Sequence, residues 1–199
     1  MRNSRRLTSA ALLSAVVLTA CSSGGSSAKK DTPIEDDPKT LVAAGLEAVA
    51  EGNDQAALSA FQFAVVKDPG NFLAQYNVGA LLQKQGDNVG ALESYKSALA
   101  AKADYVPALY NEATIFGLTN PALAVATYTK VIALQPIAPT AYLNLGLLEA
   151  AMNKDAAARK HFEIAVMQDG TLVKAIPKDV FTRKTAVTPA PRPSSSRTP

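Results

Sequence analysis

The sequence has very few of the side chains on which metal sites and covalent catalysis depend. Its 199 residues include one cysteine, Cys21, one histidine, His161, and no tryptophan. No pair of histidine, cysteine or carboxylate residues stands at metal-ligand spacing, and no glycine-rich phosphate loop is present. We therefore predict no metal, no cofactor and no enzymatic activity. A lone histidine on a helix is typical of a solvated surface residue, and we expect that of His161.

The excess of positive over negative charge is also small. The formal net charge is +3, and three of the basic residues lie within the first six. Beyond them, residues 38–170 carry 9 basic and 12 acidic side chains, whereas residues 171–199 carry 6 basic and one acidic side chain. A mildly acidic body with a basic tail offers no electrostatic stripe for a phosphate backbone, so we predict no nucleic-acid partner.

No apolar run is long enough to cross a bilayer. The longest, Leu7–Ala20, follows a positively charged start and has 14 residues, whereas a spanning helix needs roughly 20. This pattern is typical of a signal peptide over residues 1–20. The run ends in Leu18-Thr19-Ala20-Cys21, which resembles the lipobox of bacterial lipoproteins. The resemblance implies cleavage before Cys21, lipidation of its thiol and a lipid anchor on the extracytoplasmic face of a plasma or outer membrane.

The alternative is an ordinary secretory signal that happens to end near a cysteine. The small residues before Cys21 and the absence of any other cysteine favour the lipobox. Residues 21–37, rich in Ser, Gly and charged side chains, have little to bury, and we expect a flexible tether.

The segment 38–170 repeats itself with a period of 34 residues, broken once by 33. A period in this range is typical of stacked supersecondary units. We name three recurring positions. The glycine position holds Gly45, Gly79, Ala113 and Gly146. The ring position holds Phe61, Tyr95, Tyr128 and Phe162. The asparagine position holds Ala43, Asn77, Asn111 and Asn144. Their spacings place the single deletion near Thr119-Asn120.

The sequence of each unit predicts two antiparallel helices. Apolar residues recur at helical spacing, and Gln85-Gly86-Asp87 separates two such stretches with a glycine at a helix end and an aspartate to cap the next helix. Asp37-Pro38 and Asn120-Pro121 each combine a capping residue with a proline at the first helical position. We predict eight helices in four pairs, without a sheet.

The small residues, the rings and the period together resemble the tetratricopeptide repeat. The resemblance implies an all-α helical-hairpin solenoid with units at 38–71, 72–105, 106–138 and 139–170. It also implies that the first helices line a concave groove for a protein or peptide partner. Residues of this chain that match groove positions of the family are Asn77, Asn111, Asn144, Tyr76, Tyr110 and Lys84.

Two interpretations of the asparagines remain open. An amide carries both a donor and an acceptor, so the three could bind the backbone of an extended peptide of any sequence. They could equally follow the repeat consensus and face water. On the first interpretation, replacing all three by alanine weakens partner binding about ten- to a thousandfold without loss of fold, because the positions are solvated. Only Lys39 and Lys84 are basic among the groove positions, so we predict no clamp for a carboxyl terminus.

The end of the array is less regular. Apolar side chains could cover the last helix, although Pro177 interrupts any helix there; they are Leu172, Val173, Ile176, Val180 and Phe181. We treat residues 171–199 as a basic, Pro- and Ser-rich tail that is mostly disordered.

Two functions fit these features. The first is a lipid-anchored scaffold that binds a protein or peptide, as similar repeat lipoproteins do in envelope and secretion assemblies. The second is a spacer whose basic tail adheres to an anionic envelope polymer or lipid surface.

Overall fold

The computed structural model describes residues 37–181, and these residues form eight α-helices and no strand. Consecutive helices pack as antiparallel pairs, and each pair packs on the next. The predicted all-α solenoid of four helical hairpins is confirmed. The helices are α1 (Pro38–Ala50), α2 (Asp54–Lys67), α3 (Phe72–Lys84), α4 (Asn88–Ala101), α5 (Val106–Thr119), α6 (Pro121–Leu134), α7 (Pro139–Ala151) and α8 (Asp155–Gln168).

Local sequence accounts for where most helices begin. A side-chain oxygen at the N-cap accepts a backbone N–H from the first turn of α1, α2, α3, α4 and α6, which satisfies a donor that the helix itself leaves unpaired. The capping residues are Asp37, Asn53, Asn71, Asp87 and Asn120. Proline occupies the first turn of α1, α5, α6 and α7, where its missing N–H costs nothing.

The turns inside the hairpins explain the single deletion. In units one, two and four, three residues join the helices, and one of them has a positive φ: Gly52 at 75°, Gly86 at 86° and Asn153 at 59°. Glycine and asparagine adopt this conformation at least cost. In unit three, Asn120 alone joins α5 to α6, ending one helix and capping the next. The turn is two residues shorter than in the other units and α5 is one residue longer than α1, α3 and α7, so unit three loses one residue, at the place the spacing indicated.

The ring position sets how closely the helices of a pair approach. All four rings are buried, and a Cβ built on the paired glycine would lie within 2.6 Å of Phe61, 2.7 Å of Tyr95 or 2.7 Å of Phe162. No methyl group fits at that distance, so glycine is required there by packing. Unit three carries Ala113 instead, buried in the same cluster as Tyr128.

The folded part continues beyond the predicted repeat boundary at residue 170. Two 3-10 helices, Gly170–Ala175 and Lys178–Phe181, flank Pro177 and pack on α8. Ile176 and Val180 are buried in the cluster around Phe162, and the Arg159 Nε donates to the Val180 carbonyl over 3.0 Å. This segment closes the end of the array. Val173, expected to help, is instead more than half exposed.

Several sequence predictions concern residues outside the described range. They are the signal peptide, the lipidation of Cys21, the tether before Asp37, and the tail beyond Phe181. None of the helices described is long and apolar enough to cross a membrane.

Candidate functional site

The first helices of units two, three and four meet directly. Helix α5 contacts both α3 and α7, whereas second helices of adjacent units make no comparable contact within the described residues. An array whose first helices converge curves toward them. We call the exposed side of α3, α5 and α7 the inner face, and it is where the resemblance placed the groove.

Asn111 and Asn144 are half-buried on the inner face, and their amides are engaged within the fold. The Asn111 Nδ2 donates to the Tyr95 hydroxyl over 3.1 Å. The Asn144 Nδ2 donates to the hydroxyls of Tyr128 and Tyr110, each over 3.0 Å. The expectation that these side chains are solvated is wrong, because each amide holds the buried phenol of the preceding unit. What remains for a ligand is the Oδ1 acceptor of each amide, together with the second N–H of the Asn111 amide.

Asn77 behaves differently. The ring before it in the array is Phe61, which has no hydroxyl, and the Asn77 Nδ2 donates to the carbonyl of Leu73 in its own helix over 2.7 Å. The three asparagines that recur in sequence therefore form two classes in the structure.

The two ring-position tyrosines have further polar partners. The Tyr95 hydroxyl donates to the Gln83 Oε1 over 2.7 Å, and the Tyr128 hydroxyl lies 2.9 Å from the Thr114 Oγ1. Burial raises the pKa of Tyr95 to about 12, against an opposing effect of the Asn111 hydrogen bond. Burial likewise raises the pKa of Tyr128. Both phenols stay neutral at ordinary pH and serve as structural hydrogen-bonding groups.

Tyr76 and Tyr110, predicted to line the groove, pack against other rings. The Tyr76 ring lies edge-on to Tyr105, with centroids 5.2 Å apart, and Tyr110 lies edge-on to Tyr128 at 5.5 Å. Both are half-buried. Each side chain therefore supports the wall of the inner face while leaving part of its surface open to a ligand.

Lys84 is held at the edge of this surface. Its Nζ lies 2.6 Å from one carboxylate oxygen of Asp54 and 2.9 Å from the other. The pair is exposed and contributes little to stability. The Lys84 cation is thus partly neutralised by α2.

Two concavities lie on the inner face. The first, the α5–α7 pocket, has a volume of about 280 Å³ and is lined by Thr114, Gly117, Leu118, Tyr128, Asn144, Leu147 and Leu148. The second, the Tyr110 pocket, has a volume of about 360 Å³, and its lining includes Tyr76, Tyr110, Asn111, Ile137 and Pro139. No lining residue of either pocket is charged.

The predicted groove residues are divided between the two pockets, and two of them line neither. Asn144 lines the first pocket, and Tyr76, Tyr110 and Asn111 line the second, whereas Asn77 and Lys84 line neither. Sequence reasoning missed the apolar residues Gly117, Leu118, Leu147 and Leu148. A signal was available for Leu118, Leu147 and Leu148, because they follow Asn111 or Asn144 on the same helix at the same-face spacings of seven, three and four residues. Gly117, six residues after Asn111, had no such signal.

His161 is not the solvated side chain that the sequence indicated. Its Nδ1 lies 2.6 Å from the Oε2 of Glu149, which is buried, and its ring lies 6.0 Å from that of Tyr142. The pairing joins α8 to α7. In the described part of the chain, no cluster of His, Cys, Asp and Glu residues could hold a metal ion.

Glu112, on α5, is a half-buried acid with an altered acidity. Burial raises the pKa of its carboxyl group, and the charges of Lys96 and Lys130 oppose that effect. It lines neither pocket, so the pockets themselves stay uncharged.

Comparison with known proteins shows which family and which solved structures this architecture resembles. The tetratricopeptide repeat family model matches residues 42–106 and 116–173. Similar solved structures include MamA from Desulfovibrio magneticus RS-1, at 22% identity over 69% of this chain and 78% of that one, with a TM-score of 0.62. YrrB, described as a TPR protein with an unusual peptide-binding site, has 19% identity over 71% and 73%, with a TM-score of 0.65.

A thermophilic TPR protein of Thermus thermophilus is similar at 19% identity over 67% of this chain and 75% of that one, with a TM-score of 0.55. At these identities the likeness shows the fold alone. No curated protein sequence matches the chain. The family model covers more than half of the residues, and the chain belongs to the tetratricopeptide repeat family.

Proposed function

We propose that the chain is a lipid-anchored extracytoplasmic scaffold whose inner face binds an extended segment of a protein partner. One observation carries the binding part of this proposal. The inner face holds two adjacent uncharged pockets, of about 280 and 360 Å³, on helices that the family uses for peptide binding. Each pocket has an asparagine in its lining, and the rest of the lining is mainly apolar or aromatic.

The composition of this surface suits a peptide better than a small polar substrate. Ligand sites combine an apolar lining with a few polar groups that fix orientation. Here the Oδ1 atoms of Asn111 and Asn144 are acceptors beside apolar pockets, and the amides that carry them are fixed by their bonds to tyrosine hydroxyls. An extended segment offers backbone N–H groups and alternating side chains to such a surface.

Photocrosslinking at matched sites tests the binding face. Leu118 on α5 and Val66 on α2 are 77% and 76% exposed, so they differ in location and hardly in accessibility. A benzoylphenylalanine at Leu118 should crosslink a discrete partner in cells, and the same residue at Val66 should not. Equal products from both sites, or none from Leu118, would contradict the proposal.

The anchor rests on the lipobox resemblance at Cys21. Acylation with more than one chain would hold the protein firmly at a membrane, since a single chain binds only marginally. Metabolic labelling with a fatty-acid analogue should tag the wild type and leave the Cys21→Ala variant untagged. Labelling that survives this substitution would contradict the proposed anchor at Cys21, and it would leave the proposal of a binding face unchanged.

A further inference from the structure

Gly117 is a glycine that the packing of the protein does not require. Gly45, Gly79 and Gly146 each face a ring that leaves no room for a methyl group. A Cβ built on Gly117 meets only the Leu148 Cδ2, at 3.6 Å, which is an ordinary van der Waals distance. Glycine within a helix is less stable than alanine by roughly 0.5–1 kcal/mol. The fold alone therefore favours alanine at this position.

What Gly117 does provide is open space. It lies in the wall of the α5–α7 pocket beside Leu118, Leu147 and Leu148. Because nothing but Leu148 stands within 4 Å of its missing Cβ, a longer side chain at this position would extend into the pocket and fill it. The glycine keeps the pocket open at the expense of helix stability.

The size and lining of the pocket limit what it can hold. At about 280 Å³ it lies just below the range of roughly 300–1,000 Å³ typical of small-molecule sites, so it suits one or two side chains. None of its lining residues carries a charge. A carboxylate or ammonium group placed there would lose its hydration without gaining a partner of opposite charge.

Two lining residues complete the arrangement. The Asn144 Nδ2 donates to two tyrosine hydroxyls, which leaves its Oδ1 as an acceptor at the pocket. Leu118 is 77% exposed and gains burial only when something occupies the space beside it.

We propose that the α5–α7 pocket receives one large aliphatic side chain, of the size of leucine, from an extended and locally uncharged partner segment. Gly117 is the residue that sets this specificity by leaving the pocket open. Asn144 accepts a backbone N–H of the same segment. The inference rests on the proposed binding function and names the chemistry that the inner face selects.

The test uses the full-length chain with labelled leucine methyl groups and short, terminally blocked peptides of serine and glycine. One peptide has a single central leucine, and its match has a central aspartate. The leucine peptide should cause saturable shifts at Leu118, Leu147 and Leu148. The aspartate peptide should bind at least tenfold more weakly, a difference of about 1.4 kcal/mol.

Variants separate pocket filling from damage to the fold. Gly117→Leu should weaken binding of the leucine peptide at least tenfold, and Gly117→Ala should weaken it less while raising the melting temperature. Gly170→Ala is the matched control, because a Cβ there meets nothing within 4 Å and the residue lies outside the pocket. It should leave peptide binding unchanged.

Three results would overturn the inference: equal binding of both peptides, undiminished binding by both Gly117 variants, or no saturable shift with any peptide. The crosslink from Leu118 distinguishes these from failure of the proposed function. If the partner crosslinks equally well with Gly117 and with Gly117→Leu, it binds the inner face without using the pocket, and if it crosslinks with neither, the proposed function fails as well.

Discussion

Units one and four differ from units two and three at the ring position. Phe61 and Phe162 fill the space between helices with hydrocarbon alone, whereas Tyr95 and Tyr128 fill the same space and bring a buried hydroxyl with them. A buried hydroxyl without a partner is costly, and in both tyrosine units the asparagine of the next unit supplies one. The asparagine position therefore has two roles, which depend on the ring of the preceding unit. After a tyrosine the amide bonds the buried hydroxyl, and after a phenylalanine it bonds its own helix.

Removing a ring should have the largest effect and should separate the two kinds of unit. Phe61→Ala should lower the free energy of unfolding by about 3–5 kcal/mol. Tyr95→Ala should cost at least as much, because it also deprives Asn111 and Gln83 of a hydrogen-bonding partner. Urea denaturation measures both. Phe63, on the same helix as Phe61 but 58% exposed, is the control, and a comparable loss from Phe63→Ala would refute the assignment of the core.

Adding a methyl group at the glycine position should have the next largest effect. Gly79→Ala should lower the free energy of unfolding by about 1–3 kcal/mol, because the new Cβ collides with the Tyr95 ring. Gly45→Ala should cost less, since the Phe61 ring has no hydroxyl bonds to resist a shift. Thermal melts of the two variants compare them. A greater loss from Gly45→Ala would mean that the hydroxyl bonds do not restrain the tyrosine ring.

Alkaline pH should weaken the tyrosine units selectively. The folded-state pKa of Tyr95, about 12, exceeds the ordinary value of 10.0, so its contribution to stability is complete below pH 10 and is lost as pH rises through about 12. At a pH of about 11 the loss should be about 1–1.5 kcal/mol.

Tyr95→Phe should reduce this alkaline loss, since it makes unit two resemble unit one at the ring position. Denaturation midpoints at pH 8 and at a pH of about 11 test this, with absorbance of tyrosinate as an independent measure of the titration. An identical pH dependence in wild type and variant would show that Tyr95 is not the group responsible.

Replacing single asparagines should have the smallest effect on the free energy of unfolding. It should also distinguish most clearly an asparagine that bonds a tyrosine from one that does not. Asn111→Ala should lower the free energy of unfolding by about 0.5–1.5 kcal/mol through loss of the bond to Tyr95. Asn77→Ala should cost less, because its amide bonds only its own helix and alanine is the better helix former. A double-mutant cycle of Asn111→Ala with Tyr95→Phe should show coupling. Additive effects would show that the two side chains do not stabilise each other.

The same pairing changes how an asparagine-to-alanine variant must be interpreted in a binding assay. Lost affinity in Asn111→Ala or Asn144→Ala could follow from a displaced tyrosine, because both amides hold buried hydroxyls. Stability and affinity therefore need to be measured on the same protein. Asn77→Ala, which disturbs no phenol and lines neither pocket, serves as the control for the substitution itself.

Much of the fold was predictable because it depends on neighbours in the sequence. The helix starts at Asp37, Asn53 and Asp87, and the short turn at Asn120, follow from residues within one helical turn. In a repeat array each unit packs only on the next, so a period found in the sequence also gives the order of packing. The family and the confirmed all-α architecture required no more than this.

The inner face was predictable in outline and not in detail. That Asn111 and Tyr110 lie near a groove follows from the repeat, whereas the bond between Asn144 and Tyr110 joins residues 34 apart. The pairing of His161 with Glu149 likewise depends on how α8 is rotated against α7. Such contacts depend on side-chain rotamers and on helix crossing, which the hydrophobic pattern does not specify.

By itself the sequence determined the helical hairpins, their number and the position of the deletion, because propensity, capping and period are local or nearest-neighbour properties. Only the tertiary structure decided which asparagines hold a phenol and that Gly117 opens a pocket. These outcomes depend on the distances between atoms of different helices. A change of about one ångström in helix separation, invisible in the sequence, would break the 3.1 Å bond between Asn111 and Tyr95.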